Sequence, residues 1–345
     1  MTPDRLLDHF DRIADAPDAI PRLRRFIFDL AVRGNLVEQN SNDEPASELL
    51  KRIQAWRSAA ISEGKIRMPR KQILVVDASE APYELPKLWD WVRLGQIIYI
   101  HSGDGLTSEA MRRGSVPVFG GNGLTGFHDT PNVLRPTVVI GRVGYYCGSI
   151  HVTPSQAWIT DNAFITEFCT DAIFQNFLVL LLKATNLEEN EKATAQPVIS
   201  GPKIYPIIVG LPPLAEQHRI VAKVDELMAL CDRLEAAQAE RESRRDKLAS
   251  ASLNRLNNGA DADEFREHAR FHLSQLPRLT TRPEHIQQMR QAILNLAVRG
   301  KLVPQDPNDE PASVLVKRIG VEISDEQPFQ IPDSWTWVSV GQIGD

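Results

Sequence analysis

Residues 211–234, LPPLAEQHRIVAKVDELMALCDRL, predict the start of the long helix around which the chain is organised. Pro212 and Pro213 suit a helix entry, because a proline at the first helical position gives up a backbone N–H that has no partner there. Glu216 in the first turn is favourable against the helix dipole. Apolar residues then recur at alternating steps of four and three, the spacing of a helix that packs along another helix. These residues are Ile220, Val224, Leu227, Cys231 and Leu234.

The helical pattern continues through the charged residues 235–247 and stops at Asn257-Asn258-Gly259, a C-terminal stop signal. A helix of this length extends for about 65 Å at 1.5 Å per residue. Periodicity alone does not separate a core helix of a bundle from an exposed coiled-coil arm. An internal repeat in the chain favours the second interpretation, in which residues 213–258 are a coiled-coil spacer.

The repeat consists of two pairs of matching segments. Residues 30–53, LAVRGNLVEQNSNDEPASELLKRI, match residues 296–319, LAVRGKLVPQDPNDEPASVLVKRI, without a gap. Residues 85–97, which contain LPKLWDWV and GQI, match residues 331–343, which contain IPDSWTWV and GQI. After the first copy the chain opens into more than a hundred residues of different composition, and after the second it reaches residue 345. We therefore expect a second helical region that repeats residues 21–97 and stops where a second such domain would begin.

These blocks, together with residues 211–235, resemble the DNA-specificity (S) subunits of type I restriction–modification systems over essentially the whole chain. That family typically carries two target-recognition domains, and this chain resembles a half-length form with one. The resemblance and the pattern of elements imply an α+β fold, in which a strand-rich recognition domain is attached to long helices that pair antiparallel. Four parts are expected: a helical region with a connector at 1–85, the recognition domain at 86–212, the spacer helix at 213–258, and the second helical region at 259–345.

The resemblance further implies a cytoplasmic, non-catalytic subunit that recognises double-stranded DNA. Its expected partners are methyltransferase subunits and a motor–nuclease subunit, which would hold the S-adenosylmethionine, ATP and Mg²⁺ and leave no cofactor in this chain. One chain offers one recognition domain. We therefore expect a homodimer that pairs antiparallel along residues 213–257. The pairing would use the recurring apolar residues 220, 224, 227, 231 and 234, which we call the apolar seam. The dimer would direct adenine methylation and restriction to a bipartite palindrome.

The charge of the chain fits a subunit that does not bind DNA tightly alone. The formal net charge is −6, and residues 86–212 carry nine Lys and Arg against ten Asp and Glu. Because phosphate neutralisation dominates nucleic-acid affinity, we expect partners to supply much of the phosphate contact. The three cysteines are widely spaced without a C-x-x-C pair, which indicates neither a disulfide framework nor a zinc site. The longest apolar run, residues 177–182, is too short to span a membrane.

Residues 86–212 alternate β-prone segments with glycine-rich turns, which predicts strands near 91–92, 97–100, 116–119, 137–140 and 157–160 and a helix near 172–183. Elsewhere the periodicity predicts helices near 6–13, 21–34, 47–61, 261–275 and 283–302, and a strand-like run at 73–76. Arg pairs with guanine and Asn or Gln with adenine, and tyrosines can stack. The candidate DNA-binding residues are Arg112, Arg113, Asn122, His128, Arg142, Tyr145, Tyr146, Asn162, Gln196 and Lys203.

Two patterns suggest catalysis and are weaker. Residues 119–123, FGGNG, fit the F-x-G-x-G pattern of adenine methyltransferases, but the Asn/Asp-Pro-Pro-Tyr/Phe motif that holds a flipped base is absent from the sequence. Residues 63–65, EGK, with Pro17-Asp18 upstream, fit a Mg²⁺-dependent nuclease pattern poorly, because both segments fall at predicted helix ends. A self-contained adenine methyltransferase and an inert interaction scaffold are the alternative functions.

Overall fold

The computed structural model describes residues 18–67, 73–144, 146–185, 187, 198–258, 262–323 and 326–342. The chain forms two compact units, Met1–Leu234 and Glu235–Asp345. The fold is α+β, as predicted. The predicted helix at 6–13 and the candidate residues Tyr145 and Gln196 lie outside the described residues.

The long helix is the largest element, with 45 residues from Leu214 to Asn258 and a length of about 68 Å. Its bounds agree with the prediction to within one residue, and the boundary between the two units falls inside it. Among the described residues the helices are α1 (Ala19–Val32), α2 (Ala46–Ser62), α3 (Leu94–Ile97), α4 (Gln175–Ala184), α5 (Gly201–Ile204), α6 (Leu214–Asn258), α7 (Ala262–Leu279), α8 (Pro283–Val298) and α9 (Ala312–Ile319). Short 3₁₀ turns occur at Ala78–Glu80, Ser108–Ala110 and Val340–Gln342.

The named strands lie between residues 90 and 211 and form three small sheets. They are β1 (Asp90–Arg93), β2 (Ile98–Ser102), β3 (Val116–Gly120), β4 (Gly123–His128), β5 (Val138–Gly141), β6 (Ile150–Val152), β7 (Trp158–Ile159), β8 (Ala163–Phe168) and β9 (Ile208–Leu211). The sheet orders are β1-β9, β2-β8-β5-β6 and β4-β3-β7. Strands β3 and β7 are parallel, and the other neighbouring pairs are antiparallel. The strand predicted at 73–76 is wrong: residues 73–77 form no strand, and Leu74 and Val75 are exposed.

The β1-β9 pair brings the two ends of the strand-rich part together, because Asp90 stands opposite Leu211. Trp89 precedes β1 and Glu216 lies in the first turn of α6, so these residues meet. The Nε1–H of Trp89 donates to Glu216 Oε2 at 3.0 Å, and the Nε2–H of Gln39 donates to Glu216 Oε1 at 2.7 Å. Burial raises the pKa of the Glu216 carboxyl. This contact ties the N-terminal helical region to the start of the long helix.

The apolar seam of α6 packs against other residues of the same chain. Ile220, Val224 and Cys231 are buried in the core of the first unit, which also contains apolar residues of α1 and α4, and Leu227 packs against this core. A side chain buried in its own chain cannot also contact a second copy. The expectation that these residues form a dimer interface therefore requires correction, whereas Leu234 is exposed.

The sequence repeat corresponds to a repeated structure. We define the first repeat module as residues 27–53 with 83–92, and the second as residues 293–319 with 329–338. In the first, the backbone N–H of Ala46 donates to the Leu88 carbonyl at 2.9 Å, and the corresponding bond from Ala312 to Ser334 is 2.8 Å. Each copy also ends a helix with a glycine at positive φ, 72° at Gly34 and 67° at Gly300.

The aromatic contacts of the two modules match as well. Arg33 lies over the Tyr83 ring at 4.7 Å, and Tyr83 meets Trp91 edge to face at 4.8 Å. The equivalent distances in the second module, Arg299 to Phe329 and Phe329 to Trp337, are 4.8 Å and 4.7 Å. Both modules therefore adopt the same local structure.

The second unit contains the C-terminal half of α6, which packs against α7 and α8. Leu253 and Leu256 form a small apolar cluster with Ala292 of α8. His285 is buried, and its Nε2 lies 2.7 Å from Asp246 Oδ1. These contacts hold α8, whose C-terminal residues belong to the second repeat module, beside α6 within this unit.

Candidate nucleic-acid interface

Several loops of the strand-rich part leave its sheets at the same edge. Strand register places Ser102 at the end of β2 opposite Phe164 near the start of β8, and Gly141 at the end of β5 opposite Ala163. The segments 103–107, 142–144, 146–149 and 160–162 therefore emerge side by side. We call these segments, with the 121–122 turn and residues 198–203, the loop end.

Hydrogen bonds to backbone carbonyls hold the loop end together. The backbone N–H of Arg142 donates to the Asn162 carbonyl at 3.0 Å, and the Ser149 hydroxyl donates to the Gly121 carbonyl at 3.3 Å. A Cβ atom on Gly121 would collide with the Val143 carbonyl. The glycine-rich composition of this region therefore allows neighbouring backbones to approach closely.

Arg142 is the best-positioned cation of the loop end. Its Nη1 donates to Ser102 Oγ at 3.1 Å and to the Asp161 carbonyl at 3.3 Å, and its guanidinium lies 5.4 Å from the centre of the Phe164 ring. These two side-chain bonds use one of the three guanidinium nitrogens. An arginine held in this way keeps donors for a planar acceptor pair such as the O6 and N7 atoms of guanine.

Four other candidates lie at the loop end. The side chains of Asn122, Tyr146 and Asn162 are exposed there, and the Lys203 Nζ donates to the Val198 carbonyl at 3.1 Å. A bridge between Val143 and Val198 joins the segment of Lys203 to that of Arg142. The structure thus brings together residues that are up to 81 positions apart in the sequence.

The remaining candidates lie at the other end of the β3-β4 hairpin. The Arg112 backbone N–H donates to His128 Nδ1 at 3.0 Å, and its Nε lies 2.8 Å from Asp129 Oδ2. His128 is 3% exposed and packs edge to face on Trp158, so this burial excludes direct base contact in the described conformation. Arg112 and Arg113 are exposed and lie at the end of the hairpin opposite the 121–122 turn.

Sequence reasoning missed the residues that orient Arg142. Ser102 and Phe164 fix its guanidinium, and neither has a sequence signal, because a lone serine at a strand end and a phenylalanine within a strand are ordinary. Asp104 and Asp161 are exposed at the same loops, and Asp104 accepts a hydrogen bond from Asn132 Nδ2 at 2.9 Å. Exposed carboxylates at these loops can accept from the cytosine N4 amino group.

The two patterns that suggested catalysis have structural explanations. Residues 119–123 span the end of β3, the tight turn at 121–122 and the start of β4, where Gly123 has a φ of 80°. Residues 63–65 follow α2, where Lys65 Nζ lies 2.6 Å from Glu63. Among the described residues, no group of three His, Cys, Asp or Glu side chains could hold a metal ion. Within the same residues, no helix is long and apolar enough to cross a membrane.

Comparison with known proteins gives a consistent assignment. Residues 86–241 match the family model described as type I restriction modification DNA specificity domain. The chain is 32% identical to the specificity subunit of type I restriction enzyme EcoAI and 31% identical to that of EcoEI, both from Escherichia coli. In each case the match covers 94% of this chain and 62% of the relative, so the chain spans about three fifths of their length.

A solved structure shows a weaker similarity. The type I S subunit from M. genitalium is 20% identical over 71% of this chain and 57% of that chain, with a TM-score of 0.37. The assignment therefore depends on the sequence matches. Residues 86–241 are therefore similar to type I restriction–modification DNA-specificity domains, and the chain is similar over most of its length to the specificity subunits that carry them.

Proposed function

We propose that this chain is a non-catalytic specificity component of a type I restriction–modification complex, and that its loop end contacts base edges in the major groove of double-stranded DNA. The observation that carries the proposal is the convergence of Arg142, Asn122 and Asn162 on one edge of a domain that matches the DNA-specificity family. These side-chain types make the paired hydrogen bonds that distinguish guanine and adenine from the other bases.

The net charge of residues 86–212 supports a complex in which this chain contacts bases and its partners contact phosphates. Residues 86–212 have a formal charge of −1, from nine basic and ten acidic side chains, so they offer little net attraction to phosphates. Methyltransferase subunits would supply phosphate contacts and, with S-adenosylmethionine, methylate adenine. A motor–nuclease subunit would use ATP and Mg²⁺ to cleave DNA. Such a complex acts on the host DNA and is therefore cytoplasmic.

A bipartite target requires a second recognition domain in the complex. A second copy of this chain, paired antiparallel along α6 as a homodimer, would supply it and give a palindromic target. Ile220, Val224 and Cys231 are occupied within the chain, so pairing must use another face of α6. Leu234 and Leu248 are exposed and two heptads apart, which places them on a common face.

The test is to co-express the chain with its cognate methyltransferase subunit and map N6-methyladenine in host DNA by long-read sequencing. We expect a bipartite motif. Replacing Arg142 with Ala should relax one position of that motif by roughly 5- to 150-fold, the range for one bidentate base contact.

Arg135→Ala is the matched control. Arg135 is an exposed arginine that pairs with Glu167 and precedes β5, at the opposite edge of the same sheet. The Arg135→Ala variant should leave the methylation motif unchanged. Assembly of the complex without any methylation motif would favour the scaffold function and reject DNA reading, and S-adenosylmethionine binding by the isolated chain would favour a methyltransferase.

A further inference from the structure

Asp104 places a carboxylate in the loop end, two residues after the Ser102 hydroxyl that accepts from Arg142. Asp104 is exposed. DNA is a polyanion, so an exposed carboxylate on a surface that approaches it lowers affinity by repelling the phosphates. A carboxylate at such a surface is useful when it accepts a hydrogen bond from a base edge, because that contact supplies specificity. The surroundings of Asp104 decide whether it is built for such a contact.

The backbone of Asp104 is fixed on both sides. Its N–H donates to the Ile159 carbonyl at 3.0 Å, and its own carbonyl accepts from Trp158 Nε1 at 3.3 Å. A Cβ atom on the preceding Gly103 would lie only 2.1 Å from the same Ile159 carbonyl oxygen. The 103–104 segment is thus packed directly against β7, which holds the Cα of Asp104 in one position.

The side chain of Asp104 is oriented by Asn132. Asn132 Nδ2 donates to Asp104 Oδ2 at 2.9 Å and to the Ile159 carbonyl at 2.9 Å, and Asn132 Oδ1 accepts from the Ile159 N–H at 2.8 Å. These bonds use both hydrogens and the oxygen of the amide, so the amide cannot turn over without losing all three of them. The carboxylate is therefore held in one orientation before DNA arrives.

One oxygen of this carboxylate remains available. Oδ2 is bonded to Asn132, whereas Asp104 Oδ1 has no hydrogen-bond partner among the described residues. An ionised carboxylate only accepts hydrogen bonds, and in the major groove only the amino groups of cytosine and adenine donate them. Adenine also presents its N7 acceptor next to the amino group, and that acceptor would repel the carboxylate. Cytosine presents the amino group alone, so cytosine is the base that this oxygen selects.

We infer that Asp104 is a specificity-determining residue that accepts a hydrogen bond from the N4 amino group of a cytosine in the recognised site, and that Asn132 is the residue that positions it. This inference rests on the proposed function, because it assigns a further base contact to the same loop end. The contact is one that Arg142 cannot make, since a guanidinium only donates hydrogen bonds.

The test compares the N6-methyladenine motif of the wild type with that of Asp104→Asn, each in complex with the methyltransferase subunit. The replacement keeps the shape of the side chain and the bond from Asn132, because the new amide oxygen accepts in place of Oδ2, and it turns an amino donor outward. Such a donor pairs with the O4 atom of thymine or the O6 atom of guanine. We expect one position of the motif to change from cytosine to thymine or guanine, and methylation at the original sites to fall by about 5- to 150-fold.

Two further variants separate base reading from a structural role. Asp104→Ala should relax the same position of the motif without selecting a new base, and binding of its complex to duplexes that lack the motif should not weaken, because the variant removes a negative charge. Asp171→Asn is the matched control. Asp171 is also an exposed aspartate of the strand-rich part, but it follows the C-terminal end of β8, whereas the start of β8 lies at the loop end. This control should leave every position of the motif unchanged.

A motif that keeps its cytosine in both Asp104 variants, or a wild-type motif without a G·C base pair, would overturn the inference and leave the proposed function intact. Loss of the motif in both variants together with weaker binding to duplexes that lack it would show that Asp104 only supports the fold, and would also overturn the inference. A wild-type complex that assembles but methylates no motif would reject the proposed function and this inference with it.

Discussion

Replacing Trp89 with Phe tests whether the contact to Glu216 stabilises the first unit. The change removes the Nε1 donor, which bonds a buried carboxylate at 3.0 Å. A hydrogen bond to a charged group contributes about 1.5–3 kcal/mol. The smaller ring also leaves a cavity in the core, which costs about 1 kcal/mol. The free energy of unfolding of the first unit should therefore fall by about 3 kcal/mol.

The repeat supplies a matched control in the same molecule. Trp335→Phe is the same chemical change at the equivalent position, but that ring is 41% exposed and no carboxylate meets it among the described residues. Its effect should stay below about 0.5 kcal/mol. For a unit of this size, the Tm of the Trp89→Phe variant should therefore lie about 6–12 °C below that of the Trp335→Phe variant.

Urea denaturation followed by far-UV circular dichroism would measure both variants. Hydrogen exchange would assign each loss to one unit, since it reports local opening residue by residue. Equal destabilisation by the two replacements, or a Trp89 variant within about 0.5 kcal/mol of the wild type, would refute the role given to this contact.

Two further predictions concern pH and the loop end. Burial raises the pKa of Glu216 above its ordinary value of 4.5, so the stability that the protonated group confers is complete below that value and lost as pH rises through the raised pKa. The unfolding free energy of the wild type minus that of Glu216→Gln should therefore decrease as pH rises above 4.5, and a constant difference would contradict this. Gly121→Ala should displace the loop of Val143 and abolish the methylation motif while partner assembly persists; an unchanged motif would show that this packing is dispensable.

The helices were largely predictable because their signals are local. Pro212-Pro213 and Asn257-Asn258-Gly259 mark the ends of α6, and the observed bounds differ from the prediction by at most one residue. Strands depend on partners elsewhere in the chain. The apolar run at 73–76 has strand composition without a strand to pair with, whereas β4 contains two glycines and a histidine and forms through its pairing with β3.

The candidate site was predictable in type but not in arrangement. The sequence indicates which side chains can contact bases, but only the strand register shows that Arg142, Asn122 and Asn162 share one edge while Arg112 lies elsewhere. The same limit explains His128, whose loop position predicts exposure although its ring is buried. Likewise, the periodicity of α6 predicts an apolar seam but cannot say whether its partner belongs to the same chain.

The contact between Trp89 and Glu216 also bears on how the chain folds during synthesis. The first repeat module is made early, but the helix start that covers Leu49 and Ile53 ends about 170 residues later, at Val224. At about 5–20 residues per second, ribosomes need roughly 10–30 s to deliver it. During that interval the nascent chain carries an uncovered apolar face, which makes it a substrate for chaperones and delays completion of the module until the strand-rich domain has emerged.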